Sequence, residues 1–292
     1  MCGIVGTIDW SGEHPPDVGQ LGQMLGMIRH RGPDEAGVYV DACAGLGNVR
    51  LSVIDLSTGQ QPITNEDGTL WIVCNGEVYN YPELRAELET RGHRFTTQSD
   101  TEVVLHLYEE LGPACLERLN GQFALAIWNV LRRTLFLARD RVGICPLYYA
   151  EFPQGLVFGS EMKALFVGPR IQPHLDPYAL AQVFSLWAPL APRSTFAGVR
   201  ELPPGCYAIA DETGCRVSRY WRLPFPEAGE ELRISKAEAA ERLHELLSDA
   251  VRLRLRADVP VGSYLSGGLD STFIAALIRE HSPDMLSTFS VA

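Results

Sequence analysis

The chain has 292 residues, 46% hydrophobic and 21% charged, with 25 Lys and Arg against 36 Asp and Glu for a net charge of −11. That is the composition of an ordinary globular protein of about two domains, and the acidic balance argues against non-specific nucleic-acid binding. No apolar run is long enough to span a bilayer, and the N-terminus lacks the basic and apolar segments of a secretory signal. The cysteines (Cys2, Cys43, Cys74, Cys115, Cys145, Cys206 and Cys215) are odd in number, scattered and without a C-x-x-C pair. A disulfide framework or zinc knuckle is therefore not expected, and a reduced, cytoplasmic setting is. The histidines show no metal-ligand spacing, so the spacing predicts no metal site.

Residues 4–8 predict a short strand, and just before it stands Cys2. If Met1 is removed, Cys2 carries both a free α-amine, with an ordinary pKa of roughly 7.7–8, and a thiol. An N-terminal amine is a recognised activator of such a nucleophile. A small buried cysteine opening a strand is the alternative, and free cysteines usually are core residues. Leu21, Met24, Leu25 and Ile28 lie at helical spacing, and Gly32-Pro33 stops that helix. Residues 38–40, 44–49 and 51–54 alternate as strands, and Leu70 to Cys74 is a continuous apolar run suited to a strand buried on both faces. Residues 81–91 and 101–111 predict helices, the second with Asp100 as N-cap.

Further strands are predicted at 121–128, 134–139, 147–150 and 155–159, with more β-like runs around Pro203-Pro204-Gly205. Many short strands with few helices point to two stacked sheets with helices packed outside. Residues 224–234 are rich in Pro, Glu and Gly and read as an interdomain linker. Ser235 and Glu238 then form a capping box opening a helix with Leu243, Leu246, Leu247, Ala250 and Val251 on one stripe. A strand at 259–265, a helix at 271–281 and a strand at 286–291 read as the opening of a βαβ unit.

Three constellations could carry chemistry. The string Leu265-Ser266-Gly267-Gly268-Leu269-Asp270-Ser271 joins a strand to a helix. Its glycines and the helix N-terminus suit a phosphate, without the lysine of a Walker loop. Asn75-Gly76-Glu77 follows the buried strand. It is a hairpin signal, and equally an oxyanion hole built from an Asn amide and a Gly N–H. Arg50 and Asp100 could hold the carboxylate and ammonium of an amino-acid substrate, or be a solvated arginine and a helix cap.

Taken together, Met1-Cys2-Gly3-Ile4, His30-Arg31-Gly32-Pro33-Asp34, Arg50-Leu51-Ser52-Val53-Ile54-Asp55-Leu56, Gln61-Pro62, Asn75-Gly76-Glu77-Val78-Tyr79-Asn80 and Ser99-Asp100-Thr101-Glu102 occur in a recognisable order. So do Asn120-Gly121-Gln122-Phe123-Ala124, Arg139-Asp140-Arg141 with Gly143, Pro146-Leu147-Tyr148-Tyr149, Ser160-Glu161 with Lys163-Ala164-Leu165, and Leu202-Pro203-Pro204-Gly205. The chain resembles the glutamine-hydrolysing asparagine synthetases over nearly all its length.

The resemblance implies an α+β fold. Residues 1–217 would form a class II glutamine amidotransferase (glutaminase) domain, a four-layer α/β/β/α sandwich of the N-terminal-nucleophile hydrolase type. Residues 218–234 would be the linker, and 235–292 the first part of an α/β ATP-pyrophosphatase-like synthetase domain. Cys2 would attack the glutamine carboxamide, with Asn75 and Gly76 holding the oxyanion. Arg50 would take the α-carboxylate, Glu77 and Asp100 the amino end, and Leu51, Ser52, Val53 and Ile54 the rest. Ammonia would pass to aspartate activated by ATP with Mg²⁺. Leu265, Ser266, Gly267, Gly268, Leu269, Asp270, Ser271 and Val291 would bind the nucleotide. The glutaminase half would need no cofactor. The implied partners are the small molecules glutamine, ATP and aspartate, with no nucleic acid and no membrane, and a homodimer is one arrangement the resemblance allows.

Family members continue beyond the equivalent of Ala292, and the piece after the linker is too short to bury a good core alone. The expectation is a truncated product that hydrolyses glutamine and makes no asparagine. Competing readings are an amidotransferase acting on another carboxylate and a non-catalytic module sensing glutamine or a nucleotide. A branch resembling β-lactam synthetase loses the nucleophile, whereas Cys2 is present here.

Overall fold

The computed structural model describes residues 2–282 and 285–291, and the chain divides into two compact units between Arg222 and Leu223. The first unit runs β1 (Gly3–Asp9), α1 (Val18–Met27), β2 (Glu35–Val40), β3 (Ala44–Arg50), β4 (Ile63–Thr64), β5 (Leu70–Val78), α2 (Tyr81–Thr90), α3 (Asp100–Leu111) and α4 (Cys115–Arg118). It continues with β6 (Gly121–Asn129), β7 (Thr134–Arg139), β8 (Tyr148–Phe152), β9 (Gly155–Gly159), α5 (Met162–Leu165), α6 (Pro177–Leu186), β10 (Arg200–Glu201), β11 (Cys206–Asp211) and β12 (Gly214–Arg219).

These strands form two six-stranded antiparallel sheets, ordered β10-β8-β9-β1-β3-β2 and β12-β11-β7-β6-β5-β4. The central strands β1, β6, β7 and β9 are buried on both faces, and the two-residue period separates three cores. Ile4 and Ile8 of β1 meet Ala124, Ala126 and Trp128 of β6 in the core between the sheets. Val5 points the other way, against Leu21, Met24, Leu25 and Ile28 from α1 and its C-cap. Phe123, Leu125 and Ile127 of β6 likewise face Leu84 and Leu88 of α2 and Val103, Val104 and Leu107 of α3. The result is the four-layer α/β/β/α sandwich that the sequence resemblance implies.

Two local expectations are corrected. Residues 51–54 are not a strand. Their polar groups bond to side chains rather than to a ladder: Leu51 N–H meets the Cys2 thiol at 3.4 Å, Ser52 N–H donates to Asp34 at 2.8 Å, and the Ile54 carbonyl accepts from Arg50 at 2.7 Å. Asp100 is not the cap of α3 but its first residue. Ser99 caps, its hydroxyl accepting from Thr101 N–H, which leaves the Asp100 carboxylate for another donor. Helix α6 was not anticipated from sequence. Asp176 caps it, and most of its apolar side chains are not buried.

The second unit contains α7 (Lys236–Arg254), β13 (Gly262–Tyr264), α8 (Leu269–His281) and β14 (Ser287–Phe289). Ser235 caps α7 by accepting from Glu238 N–H at 3.1 Å, as the capping-box pattern predicts. Of the predicted stripe only Val251 is buried, and Leu243 and Leu246 are exposed. β13 and β14 pair in parallel through α8, a βαβ unit. No helix among the described residues is long and apolar enough to cross a membrane.

Candidate active site

Cys2 stands at the mouth of a pocket formed where β1, the 51–54 loop, β5 and the start of α3 converge. Three bonds fix its position. Arg31 Nε donates to the Cys2 carbonyl at 3.0 Å, Ser160 Oγ accepts from Ile4 N–H at 3.0 Å, and Leu51 N–H points at Cys2 Sγ at 3.4 Å. Burial raises the thiol pKa above its ordinary value, while the Leu51 N–H acts in the opposite direction. A thiol in this setting needs a neighbouring base to make it a thiolate.

Arg50 ends β3 and is buried, so its charge must be paired. It donates to Glu35 Oε2 at 2.9 Å and to the carbonyls of Ile54 and Asp55 at 2.7 and 2.6 Å. Among the described residues these bonds occupy three of its five N–H donors. Arg50 also lines the pocket, and its two remaining N–H donors, one on Nε and one on Nη1, are left for a carboxylate there.

Asn75 and Gly76 lie inside β5, opposite Ala124 and Phe123, and not in a hairpin. Alternation puts Asn75 on the face of Val73, between the sheets. Its side chain is 0% exposed, and among the described residues neither its amide nitrogen nor its oxygen has a hydrogen-bond partner. An orphaned buried amide costs on the order of 1–3 kcal/mol, which is the signature of a group held ready for a partner that comes and goes. Gly76 has φ of 147°, and a Cβ there would stand 2.0 Å from the Gln122 carbonyl oxygen, so no other residue fits.

The far side of the pocket is acidic. Asp100 is buried and accepts from Val78 N–H at 2.8 Å, yet burial raises its pKa. The Glu77 pKa is raised too, first by burial and then by the Asp100 charge. Two carboxylates strained in this way would be relieved by a cation, such as an ammonium, between them.

Of the residues proposed from sequence to bind glutamine, Arg50, Leu51, Val53, Ile54, Gly76, Glu77 and Asp100 line this one pocket with Cys2. Ser52 and Asn75 adjoin it without lining it. Sequence reasoning missed Gln61, Ser99, Thr101 and Gln122, which also line it. Gln61 accepts from Cys74 N–H at 2.6 Å and donates to Thr101 at 3.3 Å, holding the loop to β5 and α3. A glutamine carries no spacing signal, so only its place in the family pattern could have drawn attention to it. The roles of Arg31, on the Cys2 carbonyl, and Asp34, on the 51–54 loop, were likewise unread within a motif that was seen.

In the second unit, Leu265 to Gly268 link β13 to α8, and Leu269 to Ser271 form the first turn of α8. Gly268 is the N-cap and provides no side-chain acceptor, so the N–H groups of the first turn of α8 are left for an anion. Gly267 adopts φ of 80°, and a Cβ there would meet nothing within 4 Å among the described residues. Ser266 and Ser271 face each other at 3.1 Å across it. The donors fit a phosphate chain. Asp270, in the same turn, would repel one unless a cation such as Mg²⁺ accompanied it. Leu265 N–H bonds to the Phe289 carbonyl at 2.8 Å, which places Val291 two residues beyond the partner strand.

Comparison with known proteins gives the following. The family profile described as glutamine amidotransferase domain matches residues 1–221, and that described as asparagine synthase matches residues 242–292. A glutamine-hydrolyzing asparagine synthetase of Bacillus subtilis (strain 168) is 41% identical over 100% of this chain and 46% of its own length. An amidase of Gibberella zeae is 37% identical over 95% of this chain and 43% of its own. The chain thus spans less than half the length of these curated relatives. The solved glutamine phosphoribosylpyrophosphate amidotransferase from B. subtilis superposes with a TM-score of 0.55 at 20% identity, covering 99% of this chain and 65% of that one, a likeness of fold.

Proposed function

This chain belongs to the glutamine amidotransferase domain family, and from that membership we propose that its first unit hydrolyses glutamine to glutamate and ammonia at Cys2. The observation that carries the proposal is the convergence of a pinned Cys2, the Arg50 side chain and the acidic Glu77–Asp100 pair on one pocket, beside an Asn75 amide unpartnered among the described residues.

Removal of Met1 gives Cys2 a free α-amine. This amine takes the thiol proton, and Sγ attacks the side-chain carbonyl carbon of glutamine. The oxygen becomes an oxyanion that Asn75 Nδ2 and the Gly76 N–H stabilise. The C–N bond breaks, the ammonium form of the amine returns its proton, and ammonia leaves. Water then cleaves the γ-glutamyl thioester on Cys2 to release glutamate. Arg50 receives the α-carboxylate of glutamine, Glu77 and Asp100 its ammonium, and the backbone of Leu51, Ser52, Val53 and Ile54 frames the chain between.

We further propose that the glutaminase domain, read from sequence as residues 1–217, extends through β12 to Arg222, that 223–234 is a linker, and that 235–292 is the opening of a synthetase domain. There Leu265 to Ser271 and Val291 would bind ATP with Mg²⁺, which activates the carboxylate of aspartate for attack by the ammonia.

Steady-state hydrolysis of glutamine by the purified chain and by Arg50→Lys tests the pocket. Lysine keeps the charge but cannot hold Glu35 and the Ile54 and Asp55 carbonyls while also donating to the substrate. The KM for glutamine should rise roughly 10- to 100-fold, the value of one charge-assisted hydrogen-bond pair, with kcat within about threefold. An unchanged KM in a variant of unaltered melting temperature would contradict the assignment, as would absence of turnover by the parent chain.

A further inference from the structure

A second cluster lies away from this pocket and plays no part in the chemistry above. Glu66 sits in the turn between β4 and β5, His93 in the loop between α2 and α3, and His106 and Glu109 three residues apart on α3. One donor atom from each lies within 4.8 Å of those of the other three. His106 is 0% exposed, and among the described residues neither of its ring nitrogens makes a well-formed hydrogen bond.

Two of the distances around His106 match the spacing of ligands in a metal shell. Its Nδ1 stands 3.3 Å from Glu66 Oε2 and 3.6 Å from Glu109 Oε2. Ligands bound tetrahedrally at roughly 2.1 Å from a metal lie roughly 3.4 Å from one another. The other carboxylate oxygens are already engaged. Glu66 Oε1 accepts from Arg94 N–H at 2.9 Å, and Glu109 Oε1 accepts from Asn65 Nδ2 at 3.1 Å, which turns each Oε2 inward. His93 brings Nδ1 to 3.2 Å from Glu66 Oε1.

Both imidazoles are backed by a carboxylate on the opposite nitrogen. His93 Nε2 is 3.3 Å from Glu110 Oε1, and His106 Nε2 is 3.7 Å from Glu102 Oε1. Such outer carboxylates orient metal-bound histidines and raise their basicity. Glu66 and Glu109 are solvent-exposed, giving an ion a route in.

We propose that Glu66, His93, His106 and Glu109 form a structural site for one divalent transition-metal ion of the Zn²⁺ type. Two imidazoles and two carboxylates suit such a borderline cation rather than a hard one. The ion would tie the β4–β5 turn and the α2–α3 loop to the helix whose first residue is Asp100. The histidine spacing predicts no metal site because the four ligands arrive from three separate segments.

The test is titration of the full chain, stripped with EDTA, with Zn²⁺ by calorimetry and equilibrium dialysis, and with Co²⁺ by absorption. The expected result is one tight equivalent and a melting temperature raised on the order of 5 °C at saturation. The Co²⁺ spectrum should show tetrahedral d–d bands without a thiolate charge-transfer band, since none of the free cysteines takes part. His106→Gln should abolish binding. The exposed changes Glu66→Gln and Glu109→Gln should each weaken it tenfold or more in a chain that still folds. The proposal is overturned by absence of a bound equivalent, by thiolate charge transfer, or by binding that survives both glutamate variants. It is equally overturned if the stripped chain is already as stable as the Zn²⁺-loaded one.

Discussion

Cys2→Ala is expected to abolish glutamine hydrolysis, lowering kcat on the order of 10⁴-fold or more, as removal of the nucleophile does where it and its base act as a unit. The same change should leave stability within about 1 kcal/mol, the range of substitutions that break no buried network. The reason lies in what holds Cys2. Its carbonyl is fixed by Arg31 and the Ile4 N–H, two residues on, by Ser160, and both bonds survive the substitution. The thiol contributes only the long contacts to the Leu51 N–H and carbonyl, at 3.4 and 3.6 Å. Glutamate release by the purified variant, measured beside its melting temperature, separates the two roles. A variant that unfolds would make Cys2 a packing residue, and one that still turns over glutamine would remove it from the chemistry.

Asn75→Ala carries the second large effect. Loss of one oxyanion donor should lower kcat roughly 10²- to 10³-fold, with little change in KM, because the amide meets the substrate oxygen only as charge develops on it. Its effect on stability is unusual for a wholly buried polar residue. Among the described residues the side chain has no hydrogen-bond partner to lose. Removing two unsatisfied polar atoms relieves about 1–3 kcal/mol, which offsets the cost of the cavity left behind. The net change should fall within about 1 kcal/mol, measured by denaturant unfolding. A loss of about 3 kcal/mol with normal turnover per folded molecule would mean that the amide supports the sheet instead.

The layered fold was legible because its physics is local. β1 and β6 alternate residues that all find apolar partners, so a strand period with hydrophobic residues on both faces already implies sheets with layers on either side. The capping box at Ser235 and the strand–loop–helix around Gly267-Gly268 are equally local signals. What could not be read depends on partners distant in sequence. The apolar alternation of residues 51–54 suggests a strand, but Cys2, Asp34 and Arg50 take up their backbone groups. Ser99 and Asp100 are both good caps by residue type. Only the Val78 N–H, 22 positions away, decides that the aspartate is drawn to the pocket while the serine caps. Asn75-Gly76 reads as a turn in isolation and becomes a strand segment because β6 lies along it in register. Gln61 and Gln122 carry no pattern at all, and the His93–His106 cluster is assembled only by the packing of α3.

The most direct measurement is covalent labelling of the purified chain with a diazo-ketone analogue of glutamine, followed by peptide mass spectrometry. The reading developed above predicts a single adduct on the thiol of the N-terminal peptide, in a form lacking Met1 and beginning at Cys2, and protection of that site by glutamine. An adduct on Cys74 or Cys145, or no adduct from a chain that binds glutamine, would contradict it.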